Sequence, residues 1–123
     1  MMTTIRRPDR DPPLTLALSR VGHRCVLHAT GEIDLSVVGA LTGLAANALS
    51  DGAQELWLDL SAVEFIDVVG AHSLVELQQR ARDEGRRLAV ICPVPVVRRT
   101  LDLTGAAQEL PLFDSRSQAH RLA

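Results

Sequence analysis

The chain has 123 residues, a size that fits one domain, and 46% of them are hydrophobic. A chain this long buries roughly two-thirds of its unfolded surface, so it needs neither a disulfide framework nor a structural metal. The formal net charge is −2 and every basic residue is Arg; both signs are spread along the chain, which excludes the basic footprint of a nucleic-acid binder and an acidic solvating tail.

Residues 1–13 are polar and Arg-rich and end in Pro12-Pro13, which predicts a flexible N-terminal tail ahead of a domain over 14–123. Leu14, Leu16 and Leu18 alternate with polar residues, a strand pattern. After a turn at Val21-Gly22-His23, Arg24 to Thr30 predicts the second strand of a hairpin. Gly31-Glu32-Ile33-Asp34-Leu35-Ser36 breaks that pattern, and Asp34 or Ser36 is suited to cap a helix. Val37, Leu41, Leu44, Ala45, Ala48 and Leu49 follow helical spacing until Asp51-Gly52.

Glu55 to Leu60 is almost continuously apolar, as expected of a strand covered on both faces. Ser61 to Asp67 reads as a loop anchored by Val63, Phe65 and Ile66. A second helix is predicted from about Val68 to Glu84, with Ala71, Leu74, Val75, Leu77 and Ala81 facing inward. Arg87 to Cys92 predicts another buried strand, followed by an extended link at Pro93 and Pro95. Val96 to Leu103 predicts a third helix, with Arg98-Arg99 on a solvated face. Leu110 to Phe113 predicts a short edge strand, because Pro111 has no N–H to give a ladder. Asp114 or Ser115 would then cap a terminal helix to about Leu122. The repeated βα units predict an α/β fold with a mainly parallel sheet of about five strands and about four helices.

With aromatic residues at 2%, the core must be Leu, Val, Ile and Ala. Cys25 and Cys92 lie in apolar runs and read as buried thiols. The chain start has no signal-peptide core, and no apolar run approaches the roughly 18 residues of a membrane span, so a cytoplasmic protein without membrane insertion is expected. His23, His28 and His120 show no metal-ligand spacing. His72 has only Glu76 at helical distance, which suits a surface pair better than catalysis. No Gly-rich phosphate loop follows any strand. No catalytic residue, metal or cofactor is therefore expected.

Three segments carry a family resemblance: Gly31-Glu32-Ile33-Asp34, then Leu58-Asp59-Leu60-Ser61-Ala62-Val63-Glu64-Phe65-Ile66-Asp67, and finally Leu101-Asp102-Leu103-Thr104-Gly105. Together they resemble the STAS, or anti-sigma factor antagonist, family over about Leu14 to Ala123. In phosphorylatable members of that family the second segment runs into Asp-Ser-Ser/Thr-Gly, and the first Ser opens a helix. A partner kinase, itself an anti-sigma factor, phosphorylates that Ser and so blocks binding. Here the segment is Asp67-Val68-Val69-Gly70, and Val68 occupies the phosphoacceptor position without a hydroxyl. The resemblance thus implies a STAS-like fold and a non-enzymatic module that binds an anti-sigma factor or switch kinase-like protein, unphosphorylated at the usual site. Asp34, Ser36, Asp67, Val68, Val69 and Gly70 are the expected partner-binding residues. The alternative is a STAS-like accessory subunit of a transporter complex.

Overall fold

The computed structural model describes residues 1–7 and 10–122. Six strands form one mixed sheet whose spatial order follows the chain: β1 (Met2–Arg7), β2 (Arg10–Val21), β3 (Arg24–Ile33), β4 (Glu55–Ile66), β5 (Arg87–Ile91) and β6 (Leu112–Phe113). The first three strands pair antiparallel, and β3 through β6 pair parallel. The helices are α1 (Leu35–Ser50), α2 (Val68–Asp83), α3 (Pro95–Leu103) and α4 (Arg116–Leu122), with a 3-10 turn at Ala106–Gln108. Because strand order never reverses, right-handed crossovers carry α1, α2 and α3 to the same face. The last helix, α4, returns to the other.

The alternation inside the parallel strands serves both faces. Leu56, Leu58 and Leu60 of β4 and Leu88, Val90 and Cys92 at β5 join the large core under α1 to α3. Trp57, Ala89 and Ile91 point the other way, into a small cluster with Val26 and Ala119. Cys25 and Cys92 are free buried thiols. Of the inward residues expected on α2, Ala71, Leu74, Leu77 and Ala81 are buried, and Val75 is half-buried against the core. Gly52, just past α1, has φ +92°, a conformation that favours glycine.

Four expectations need correction. First, the mainly parallel sheet gains a sixth strand beside the expected hairpin, because most of the expected tail is strand: Thr3 pairs with Leu16 and Ile5 with Leu14, and Ile5 packs on the core. The signal was the β-branched run Thr3-Thr4-Ile5. Pro8 and Asp9 lie outside the described residues. Pro12 and Pro13 fall where the β1–β2 register shifts, the place a strand tolerates them. Second, Ser61 to Ile66 continues β4 instead of forming a loop. Two bulges in the β3–β4 ladder, one between the His28–Asp59 and Thr30–Ala62 pairs and one between Gly31–Val63 and Glu32–Phe65, break the alternation that would have shown a strand.

Third, the second bulge turns Phe65 outward, 41% exposed, while Val63 and Ile66 stay buried. Fourth, Arg98 is not merely solvated: its guanidinium donates to the Cys92 carbonyl at 3.2 Å and to Asp114 at 3.1 Å. Among the described residues no helix is long and apolar enough to cross a membrane.

Candidate functional site

Helices that follow parallel strands begin at the strands' carboxyl ends, so the starts of α1, α2 and α3 gather at one end of the sheet. Two carboxylates organise this end. Asp34 is the N-cap of α1: its Oδ1 accepts from the Ser36 amide at 3.0 Å and from the Ser36 hydroxyl at 2.6 Å. Asp67 caps α2, accepting from the Gly70 amide through Oδ1 at 2.7 Å. Its second oxygen, Oδ2, accepts from the Leu35 amide at 3.2 Å, in the first turn of α1. The Asp67 amide in turn donates to the Ile33 carbonyl at 3.1 Å. One side chain therefore satisfies orphan donors of two helices and fixes their starts relative to each other.

Gly70 lies beneath this rim. A Cβ there would come within 2.7 Å of Ile66 Cγ1 and 3.0 Å of Ile33 Cγ2, so only glycine lets α2 approach the ends of β3 and β4 so closely. It is buried, and its contribution to the rim is this close approach. That separates Gly70 from the other residues of the expected partner surface, which reach solvent.

Apolar side chains crown the caps. Val68 is 54% exposed and Val69 41%, while Leu35, at the first position of α1, is 71% exposed. Val96, at the start of α3, is half exposed at the same end of the sheet. Leu35 and Val96 were not singled out from the sequence; the available signal was, for Leu35, an apolar residue directly after the capping Asp34, and, for Val96, an apolar residue in the first turn after Pro95. Ser73, one turn into α2, is 5% exposed, and its hydroxyl donates to the Gly70 carbonyl at 2.6 Å. That bond ties the hydroxyl back into its own helix.

A second polar arrangement sits on the α4 face. Asp59 of β4 is 4% exposed. Its Oδ1 accepts from the Ser61 amide at 3.0 Å and the Ser61 hydroxyl at 2.6 Å, and its Oδ2 from Arg116 Nε at 2.7 Å. Burial alone would push this carboxyl up, but the Ser61 hydroxyl and amide and the Arg116 guanidinium together outweigh it and hold the group below the usual carboxylate range. His28 Nδ1 lies 3.4 Å from Asp59 Oδ2, too poorly aligned for a hydrogen bond. Nearby, Arg24 stacks 3.8 Å over the Trp57 ring and pairs with Glu55 at 3.0 Å, and His120 meets Trp57 edge-on at 4.8 Å. Ser115 accepts from the Gln118 amide while Gln118 accepts from the Asp114 amide, a reciprocal cap that starts α4. The Arg116–Asp59 and His120–Trp57 contacts fasten α4 to the sheet. Among the described residues no group of three His, Cys, Asp or Glu could hold a metal ion.

A mixed sheet with three helices on one face and α4 on the other, and two capped helix starts meeting at an apolar rim, defines a class of small α/β domain. The model for the STAS domain matches residues 15–119, and the chain belongs to that family. It is 32% identical over 94 residues to the anti-sigma-F factor antagonist RsfB of Mycobacterium tuberculosis, covering 76% of both chains. The crystal structure of an anti-sigma factor antagonist from Mycobacterium paratuberculosis superimposes with a TM-score of 0.76 at 27% identity, over 95% of this chain and 97% of that one. The unphosphorylated form of the anti-sigma factor antagonist SpoIIAA shares the fold, with a TM-score of 0.71 at 18% identity over 87% of this chain and 95% of that one.

Proposed function

We propose that the protein is a non-enzymatic antagonist-like regulator that binds an anti-sigma factor, or a switch kinase-like relative of one, through the rim formed by Asp34, Leu35, Ser36, Asp67, Val68 and Val69. The observation that carries this reading is the exposure of Val68, Val69 and Leu35 on a framework fixed by Asp67. Exposed apolar side chains on rigid, capped helix starts suit a partner that desolvates them. The likeness to proteins named as anti-sigma factor antagonists supports the choice of partner.

In this reading Val68 leaves the rim permanently in the form that binds, because valine offers no oxygen for phosphate. The test is Val68→Glu. A carboxylate in the first helical turn is favourable to the free domain by roughly 0.3–1 kcal/mol. In the complex the same charge would be desolvated without a partner, at a cost of several kcal/mol. The variant should melt like wild type yet bind the anti-sigma factor at least about tenfold more weakly in calorimetry, roughly 1.4 kcal/mol. Normal melting together with wild-type affinity would remove this rim as the recognition surface.

A further inference from the structure

Three arginines line one cavity at the opposite end of the sheet. The cavity measures about 410 Å³ and is bounded by Arg82 near the end of α2, Arg86 and Arg87 leading into β5, and the apolar surfaces of Trp57, Pro111 and Phe113. Among the described residues, none of the three guanidiniums forms an ion pair. Arg86 Nε is buried without a hydrogen-bond partner among the described residues. An unmet buried donor is costly, and an acceptor in the cavity would satisfy it. The carboxylate in the wall, Glu55, is already committed to Arg24 at 3.0 Å. In a chain of net charge −2, this is a local concentration of unneutralised positive charge.

The sheet edge adds a further donor. The Val90 and Cys92 amides donate outward to the Pro111 and Phe113 carbonyls, whereas the Arg87 amide donates inward to Gln54. Strand periodicity therefore turns the Leu88 N–H outward as well. The outermost strand, β6, is only two residues long and pairs no further back than Val90, so Leu88 meets an open edge within the cavity.

We propose that this cavity binds a small organic acid that carries its anionic group on a flat ring. The guanidiniums and the edge amide would hold the acid group, as charge-assisted donors do, and the walls at Phe113 and Pro111, with the edge of the buried Trp57 behind them, would hold the ring. The site is independent of the rim: Val68 and Arg82 are fourteen residues apart on one helix, about 21 Å.

Trp57 is the chain's one tryptophan and lies in the cavity wall, so its fluorescence reports occupancy directly. The probes are phenyl phosphate, benzoate, inorganic phosphate and benzyl alcohol, each titrated into the full chain. Phenyl phosphate or benzoate should change the Trp57 emission saturably, and the tighter of the two identifies the acid group. Arg82 and Arg87 are exposed, so the double variant Arg82→Gln, Arg87→Gln should melt like wild type and bind that probe about tenfold more weakly. Val68→Glu should bind it unchanged. No response to either aromatic acid at millimolar concentration would overturn the proposal, as would undiminished binding by the double variant. Benzyl alcohol binding as tightly would overturn the role of charge, and inorganic phosphate binding as tightly would overturn the role of the ring.

Discussion

On one face of the sheet, α1, α2 and α3 cover a continuous core of Leu, Val, Ile and Ala drawn from β2 to β5. On the other, the seven-residue α4 covers a small cluster around Trp57 and is pinned by Arg116 to Asp59, with His120 against Trp57. The first face is held by apolar burial, which is non-directional and shared among many contacts. The second is held by a few directional polar contacts, each of which matters singly. The comparison teaches where cooperativity should lie: damage to the first face spreads through the whole fold, whereas damage to the second stays at one helix.

The largest expected effect breaks the first face. Leu74 of α2 is fully buried between the helix and the sheet. Leu74→Ala should lower stability by about 3 kcal/mol and the melting temperature by about 10 °C. Far-UV circular dichroism and the Trp57 emission should fall in one coincident transition, although Trp57 lies on the opposite face. Two separated transitions would show that the faces unfold independently.

The same contrast explains what the sequence disclosed. Helix-forming periodicity on α1 and α2, and the apolar runs of β4 and β5, are local patterns that answer to the large core, so those elements could be placed before any coordinates. The cap of α1 was legible as Asp34 or Ser36 ahead of apolar helical spacing, and the structure assigns it to Asp34. The Asp59–Arg116 pair spans 57 positions, and the Trp57–His120 contact joins residues as distant. No local pattern encodes such pairings. The bulges in β4 hid a strand inside an apparent loop, and the strand role of Thr3 to Ile5 depended on finding β2 as its neighbour. At the candidate site the resemblance pointed to Val68, but the reach of Asp67 across to α1 and the exposure of Leu35 are products of tertiary geometry.

An intermediate effect sharpens the second face. Arg116 is half exposed, so solvent screens its pair with Asp59, and Arg116→Ala should cost only about 1 kcal/mol. The loss should be local: α4 amides should exchange faster while those of α1 and α2 keep their protection. A pH dependence follows from the same pair. Asp59 is depressed in the folded state, so its contribution is present above the ordinary carboxylate value and is lost as pH falls through the lower folded value. In Arg116→Ala the folded and unfolded values move together, and the stability lost below about pH 4 should shrink. Denaturant midpoints measured down the acid range check the sign, and a steeper acid loss in the variant would contradict this account of Asp59.

The smallest effect concerns the rim, which neither face explains. Val68 opens α2 with 54% of its surface in water, so it belongs to no core. Val68→Ser removes two methyl groups that are already largely hydrated and puts a good first-turn residue in place of a β-branched one. Stability should change by less than about 0.5 kcal/mol, the range of surface substitutions. The two terms oppose each other: a little apolar contact is lost, and local helix preference improves. Binding should respond differently, because the partner would lose part of an apolar contact but meet no charge; the affinity for the anti-sigma factor should fall by less than about tenfold, well short of Val68→Glu. Thermal melting and calorimetry on the same preparations separate the two quantities. A loss of stability above about 1 kcal/mol in Val68→Ser would mean that Val68 packs as a core residue, and the rim would then be part of the first face instead of a surface kept free for a partner.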